Sequence, residues 1–177
     1  DIHVHDTYFV VAHFHYIVYG GSVFVIFSSI YHWYPKFTGK MLNESLGRFH
    51  FALTFIGFNL CFAPQHWLGL NGMPRRVAEY DPQFEFVNQI SSLGALIMAL
   101  STLPFLWNIF YSAYKGDLAG DNPWKALTPE WLTSSPPPVE NWKGPAPLVQ
   151  KPYGYGIEIE TSEKDEAISS IDPQESA

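Results

Sequence analysis

Residues 7–35 read TYFVVAHFHYIVYGGSVFVIFSSIYHWYP and contain no Asp, Glu, Lys or Arg. A helix needs about 20 predominantly apolar residues to cross a hydrocarbon core about 30 Å thick, and this run is longer than that. Residues 49–74 and 86–114 are equally free of formal charge. In lipid every backbone N–H and C=O must be satisfied inside its own element, so runs of this length are predicted as helices rather than isolated strands. The alternative, buried helices of a large soluble protein, fits poorly with a mean of about 11–12 residues for soluble helices. Aromatic residues gather where interfaces belong: Tyr31, Trp33, Tyr34 and Phe37 end the first run, and Trp107, Phe110, Tyr111 and Tyr114 end the third. The sequence predicts an all-α integral membrane fold, with three transmembrane helices over about 7–35, 49–74 and 86–114.

The chain has two unlike parts, divided near Lys115. Residues 1–114 carry Lys36, Lys40, Arg48, Arg75 and Arg76 against Asp1, Asp6, Glu44, Glu79, Asp81 and Glu85, so nearly all of the net charge of -7 lies in residues 115–177. That second part is rich in Pro, from Pro123 through Pro136–Pro138 to Pro152, and ends in the acidic stretch IEIETSEKDEAISSIDPQESA. Pro favours extended backbone, and a charged segment poor in apolar residues cannot offset its ordering entropy. The expectation is a peripheral arm without fixed structure at least after Ile159. Trp124, Trp131, Trp142, Tyr153 and Tyr155 argue equally for a strip that drapes over the body or over a partner subunit. Membrane lipid is an expected partner and nucleic acid is not. Cys61 is the single cysteine and excludes an internal disulfide. The chain opens on Asp without an initiator Met, which reads as a piece of something longer or a processed terminus.

Excess Lys and Arg mark cytoplasmic loops. The first connection, YPKFTGKMLNESLGR, sets Lys36, Lys40 and Arg48 against Glu44 and reads as inside; the second, GMPRRVAEYDPQFE, sets two arginines against three carboxylates and reads as outside. Asp1 is then outside and the arm cytoplasmic.

An imidazole inside a membrane span is costly and so a functional candidate. His13 and His15 are two residues apart, about 200° around a helix of 3.6 residues per turn. They point to opposite sides and cannot readily share one ion, for which a spacing of three or four is suited. The pair is better built for two sites, with Phe14 between them, and a flat redox cofactor on each side taking one imidazole as axial ligand would fit. Hydrogen bonds to neighbouring helices are the plainer alternative. Upstream, His5 and Asp6 stand at the outer mouth, where imidazole, carboxylate and water suit Mg²⁺ or Mn²⁺; an Asp near a helix start is also a common cap. Arg75 and Arg76 offer guanidinium forks for carboxylates, such as haem propionates, or a simple interfacial anchor. His32 and His50 are read as snorkelling or capping near the inner ends, and His66 as packing or hydrogen-bonding near the outer end of the second span.

HDTYFVVAHFHY, followed at a matching distance by APQHWLGLNGMPRR, resembles the C-terminal part of subunit I of the haem-copper oxidases, most closely the cytochrome c oxidase type. The likeness covers about residues 1–114. It implies that the spans are the last three of a twelve-helix bundle, that His13 is the axial ligand of the high-spin haem a3 at which O₂ is reduced opposite copper, and that His15 is an axial ligand of the low-spin haem a. It further implies Mg²⁺ or Mn²⁺ at His5 and Asp6, Asp1 near the haem a3 propionates, and Arg75 and Arg76 on haem propionates. Implied partners are the rest of subunit I, subunits II and III, and cytochrome c. Quinol-oxidising relatives tend to have HN where this chain has HD, so Asp6 favours the cytochrome c branch. The copper ligands, the second ligand of haem a and most proton-channel residues belong to earlier spans. The long Pro-rich arm resembles bacterial versions and points to a bacterial plasma membrane, with a photosynthetic internal membrane as the alternative. Readings left beside this one are a quinol oxidase and a non-catalytic haem- or metal-binding membrane module.

Overall fold

The computed structural model describes residues 2–142. Asp1 and the chain after Trp142 lie outside the described residues, and with them the expectations placed on Asp1, on Tyr153 and Tyr155, and on the stretch after Ile159. The described chain is helical and contains no strand: α1 (Tyr8–Val18), a single π-type turn (Tyr19–Val23), α2 (Phe24–Thr38), α3 (Glu44–Leu70) and α4 (Glu85–Lys115), with short 3₁₀ turns at Pro82–Phe84 and Pro129–Leu132. Three segments are long and apolar enough to cross a membrane: Tyr8–Thr38, Glu44–Leu70 and Pro82–Lys115. The protein is a multi-pass membrane protein.

Capping groups, which a count of charges does not see, decide where the helices begin and end. Extended Thr7 opens α1, its hydroxyl accepting from the Phe9 N–H at 3.3 Å and donating to the Val4 carbonyl at 2.7 Å. Asn43 accepts from the Leu46 N–H at 2.9 Å and starts α3 at Glu44, more than a turn before the uncharged run, so that Glu44 and Arg48 pair at i, i+4. Gly39, at φ 71°, closes α2 in the left-handed conformation that glycine adopts without strain. At the other end of α3, Met73 N donates back to the Leu68 carbonyl at 3.0 Å, so the helix stops at Leu70 rather than at Pro74.

α3 and α4 form the tightest pair. Small residues bring their backbones together, as in membrane helix packing generally. Polar rungs cross the seam: Gln65 Nε2 donates to Ser91 Oγ at 2.8 Å, Ser91 Oγ to the Cys61 carbonyl at 2.7 Å, and Thr54 Oγ1 to Ser101 Oγ at 2.8 Å. At the end of the seam Asn108 exchanges two hydrogen bonds with the Asn43 backbone, each of 2.9 Å. α1 packs on the other side of α3. α2 does not follow it: close backbone approach runs along α3–α4 and α1–α3, while α2 reaches its neighbours mainly through long side chains. The π-type turn separates the two behaviours, and a mostly apolar cleft of about 700 Å³ opens between α2 and α3.

Beyond α4 the chain turns back along α2. Asp117 O accepts from Met41 N at 2.8 Å and Ala119 N donates to Gly39 O at 2.9 Å. Trp124 stacks on His32 and donates from Nε1 to its carbonyl at 2.9 Å. Lys36 Nζ donates to the carbonyls of Asp121 (2.9 Å) and Thr133 (2.8 Å) and lies 5.0 Å from the centre of the Trp131 ring, which is 1 % exposed. Of the two arrangements open from sequence, this part of the arm adopts the draped one. His32 therefore does not snorkel, because the two tryptophans hold it. Removing a buried Trp costs about 3–5 kcal/mol, and cleavage of a locally opened segment follows its open population. Trp131→Ala is therefore expected to raise the rate of tryptic cleavage at Lys125 in the detergent-solubilised complex by at least ~10-fold, since ~1.4 kcal/mol is one decade; an unchanged rate would contradict the docking.

Candidate functional site

At the end where α1 begins, the segment before α1 pairs with the segment after α3. Tyr8 N donates to Met73 O at 3.1 Å and Arg75 N to Asp6 O at 2.9 Å, a one-rung antiparallel bridge at Thr7 and Pro74. Buried Leu68, Met73 and Phe84 support it from below. Gly69 permits it, because a Cβ there would lie 2.0 Å from Phe9 N. Asp6 and Arg76 flank the bridge at φ 54° and 63°, in the sparsely used left-handed region.

The bridge brings three of the expected residues into one cluster. Asp6 Oδ2 lies 3.1 Å from His5 Nε2, and Asp6 Oδ1 accepts from Arg75 Nε at 2.8 Å and also from Arg75 Nη2. Arg75 is thus spent largely on Asp6, while Arg76 makes no ion pair among the described residues. His5 and Asp6 are placed to act together, but among the described residues no group of three His, Cys, Asp or Glu converges on a metal position. The pair can supply two ligands of a six-coordinate ion, the rest coming from water or another chain.

The Arg75 hydrogen bond holds the Asp6 carboxyl below its ordinary 3.8, with the nearby charge of His5 adding to the effect. A depressed carboxylate stabilises the fold above its unfolded value and loses that contribution as pH falls through the folded one. The carboxyl stretch of Asp6, isolated by infrared difference between parent and Asp6→Asn, is expected to titrate below 3.8; a midpoint at or above it would refute the pairing.

Lower in α1 the two histidines have unlike surroundings. His13 is exposed on the three-helix body, with the Phe9 ring parallel to it at 6.4 Å. His15 turns toward α3. Its Nδ1 lies 2.8 Å from the Val11 carbonyl oxygen, which can only accept, so the proton of the neutral ring sits on Nδ1 and the bare nitrogen is Nε2. Its ring lies face to face with Phe62, centroids 4.2 Å apart and 11° from parallel. This is the preparation a metal-binding imidazole needs: one nitrogen tied to a carbonyl, the other presented outward. The donor set fits haem, whose iron commonly takes a single imidazole from the protein.

Some neighbours could not be read from sequence. Phe62, which faces His15, stands in an ordinary apolar run, and nothing in its spacing selects it. Tyr16 donates to Asn59 Oδ1 at 2.7 Å and fixes α1 against α3. His66 packs edge-on to Phe9 at 5.1 Å and to Tyr16 at 5.3 Å, the packing role expected of it. His50 departs from expectation: at 2 % exposure, with Tyr31 Oη 3.2 Å from its Nδ1 and the Phe27 and Phe105 rings against it, it neither snorkels nor caps. Its helix starts earlier than the uncharged run implied, which carries His50 into the interior.

The family described as Cytochrome C and Quinol oxidase polypeptide I matches residues 1–97. The chain belongs to this family. It is 60 % identical over 94 % of its length to cytochrome c oxidase subunit 1 of Thermostichus vulcanus, and 54 % identical over 97 % to that of Synechocystis sp.. A putative cytochrome c oxidase subunit 1-beta of Streptomyces avermitilis is 51 % identical over 80 % of the chain. The chain covers 30 %, 31 % and 26 % of these relatives, less than a third of an oxidase subunit I. The family is one of oxidoreductases, and the paired histidines, the first two spans and the start of the third lie within the matched residues.

Proposed function

We propose that this chain is the C-terminal, haem-ligating part of the catalytic subunit of a cytochrome c oxidase, which reduces O₂ to water and couples that reaction to proton pumping. The observation that carries the reading is the pair His13 and His15: one helix, opposite sides, and in His15 a nitrogen held bare by the Val11 carbonyl. When bound, the haems supply one-electron transfer and, together with copper held by other spans, O₂ reduction. His13 holds the iron of haem a3 and His15 that of haem a, with Phe14 between them. Arg76, with what Arg75 has left beyond Asp6, holds propionates, and Asp1 lies near those of haem a3. His5 and Asp6 take Mg²⁺ or Mn²⁺ at a boundary with subunit II. Asp6, together with the likeness to cytochrome c oxidase subunits, favours cytochrome c over quinol as donor.

In this reading the rest of subunit I and subunits II and III complete the complex, the membrane is bacterial, and the arm faces the cytoplasm, held to the end of α2 by Lys36. The test is the spectrum of the purified parent complex. Reduced haem a bands with a CO-sensitive component are expected; an assembled complex without haem would end the reading in favour of a non-catalytic module. A dicopper site in a partner subunit separates a cytochrome c donor from quinol.

A further inference from the structure

The His15 ring has two rotational freedoms that matter to a metal, and different groups remove them. The Val11 carbonyl, 2.8 Å from Nδ1, selects which nitrogen is bare and aims it outward. A single hydrogen bond still lets the imidazole hinge about the bond, because torsions onto a flat ring are broad. The plane is set by Phe62, parallel to within 11° at 4.2 Å, with the Phe14 ring at 80° and 5.0 Å limiting rotation beside it. Phe62 cannot itself turn freely. It is 7 % exposed and backed by Phe58 at 5.4 Å and Tyr19 at 6.3 Å, within the cluster that also contains Cys61.

We propose that Phe62, on α3, is the positioning residue that fixes the plane of the His15 imidazole, and that through this plane it sets the electronic state of the iron His15 holds. The inference rests on the reading of His15 as an axial haem ligand and adds to it a residue that touches neither iron nor substrate. An imidazole plane fixed relative to the porphyrin axes splits the iron d orbitals in a defined way, and the g-values of the oxidised low-spin haem report that splitting. Orientation of a ligand by groups behind it is one of the means by which a protein tunes a metal. The stack joins α1 to α3, so assembly of the two spans and orientation of the ligand are one event.

The experiment uses the intact oxidase complex and electron paramagnetic resonance of its oxidised low-spin haem. Phe62→Leu, and Phe62→Met where the first fails to assemble, should keep the haem but broaden its signal and move the largest g-value outside the spread of repeat preparations. Phe62→Tyr keeps the flat face and should restore the parent values. Phe58→Leu loosens the backing of Phe62 without removing the ring that faces His15, and should move them by less than Phe62→Leu does. Parent g-values in Phe62→Leu or Phe62→Met, or an equal shift in Phe58→Leu, would overturn the positioning role while leaving the ligand assignment intact. A low-spin haem that survives His15→Ala would instead overturn the assignment on which the inference stands.

Discussion

His15→Ala is expected to yield an assembled complex that has lost its low-spin haem and keeps a haem that binds CO; His13→Ala is expected to lose the CO-binding haem and keep the low-spin one. The two outcomes differ because the imidazoles leave opposite sides of α1, with only His15 directed at Phe62 on α3. Loss of an outer partner of a metal ligand commonly costs about 10–100-fold in affinity or activity, and loss of the ligand itself should exceed that. Oxygen consumption should therefore vanish in both variants, while optical and CO difference spectra separate them. Identical spectral losses from the two substitutions would mean a single shared site and would overturn the assignment of one iron to each histidine.

Gly94→Val is expected to prevent assembly. A Cβ at Gly94 would lie 2.2 Å from Cys61 N and 2.6 Å from the Leu60 carbonyl carbon, so the obstruction is backbone, not a side chain that can swing away. Overpacking a core ordinarily costs about 1–3 kcal/mol through shifted rotamers and small backbone movements. Here the remedy is to separate two whole helices. That movement pulls apart Gln65 and Ser91 on one side of the contact and Thr54 and Ser101 on the other, leaving hydroxyl and amide groups unpaired in a medium without water. Gly21→Ala is the control, since nothing lies within 4 Å of its added carbon. The amount of haem-loaded complex recovered from membranes measures both, and a normal yield of Gly94→Val would contradict the close approach of α3 and α4.

The membrane-spanning helices were legible because their evidence is the absence of charge over a known thickness, a property each span carries alone. The separation of His13 from His15 was legible for the same reason: it needs only the pitch of one helix. Ends were less so. Asn43 and Gly39 shift them by side-chain capping and by one left-handed residue, and neither changes the charge pattern. Least legible were relations between segments. That Phe62 faces His15, that Asp6 occupies Arg75, and that Trp131 settles over Lys36 depend on which surfaces meet, and a single sequence does not encode that in spacing.

The turn at Tyr19–Val23 carries a consequence for the span that contains it. An i→i+5 turn takes in one residue more than an α-turn, and each extra residue advances the side chains by about 100° around the axis. The first span is then two helices in different phases: counting by 3.6 from His15 gives the direction of neighbours within α1 and the wrong direction for Phe27, Tyr31 or Lys36 beyond the turn. The half that carries the imidazoles is phased to α3, and the half that carries Lys36 is phased to the arm.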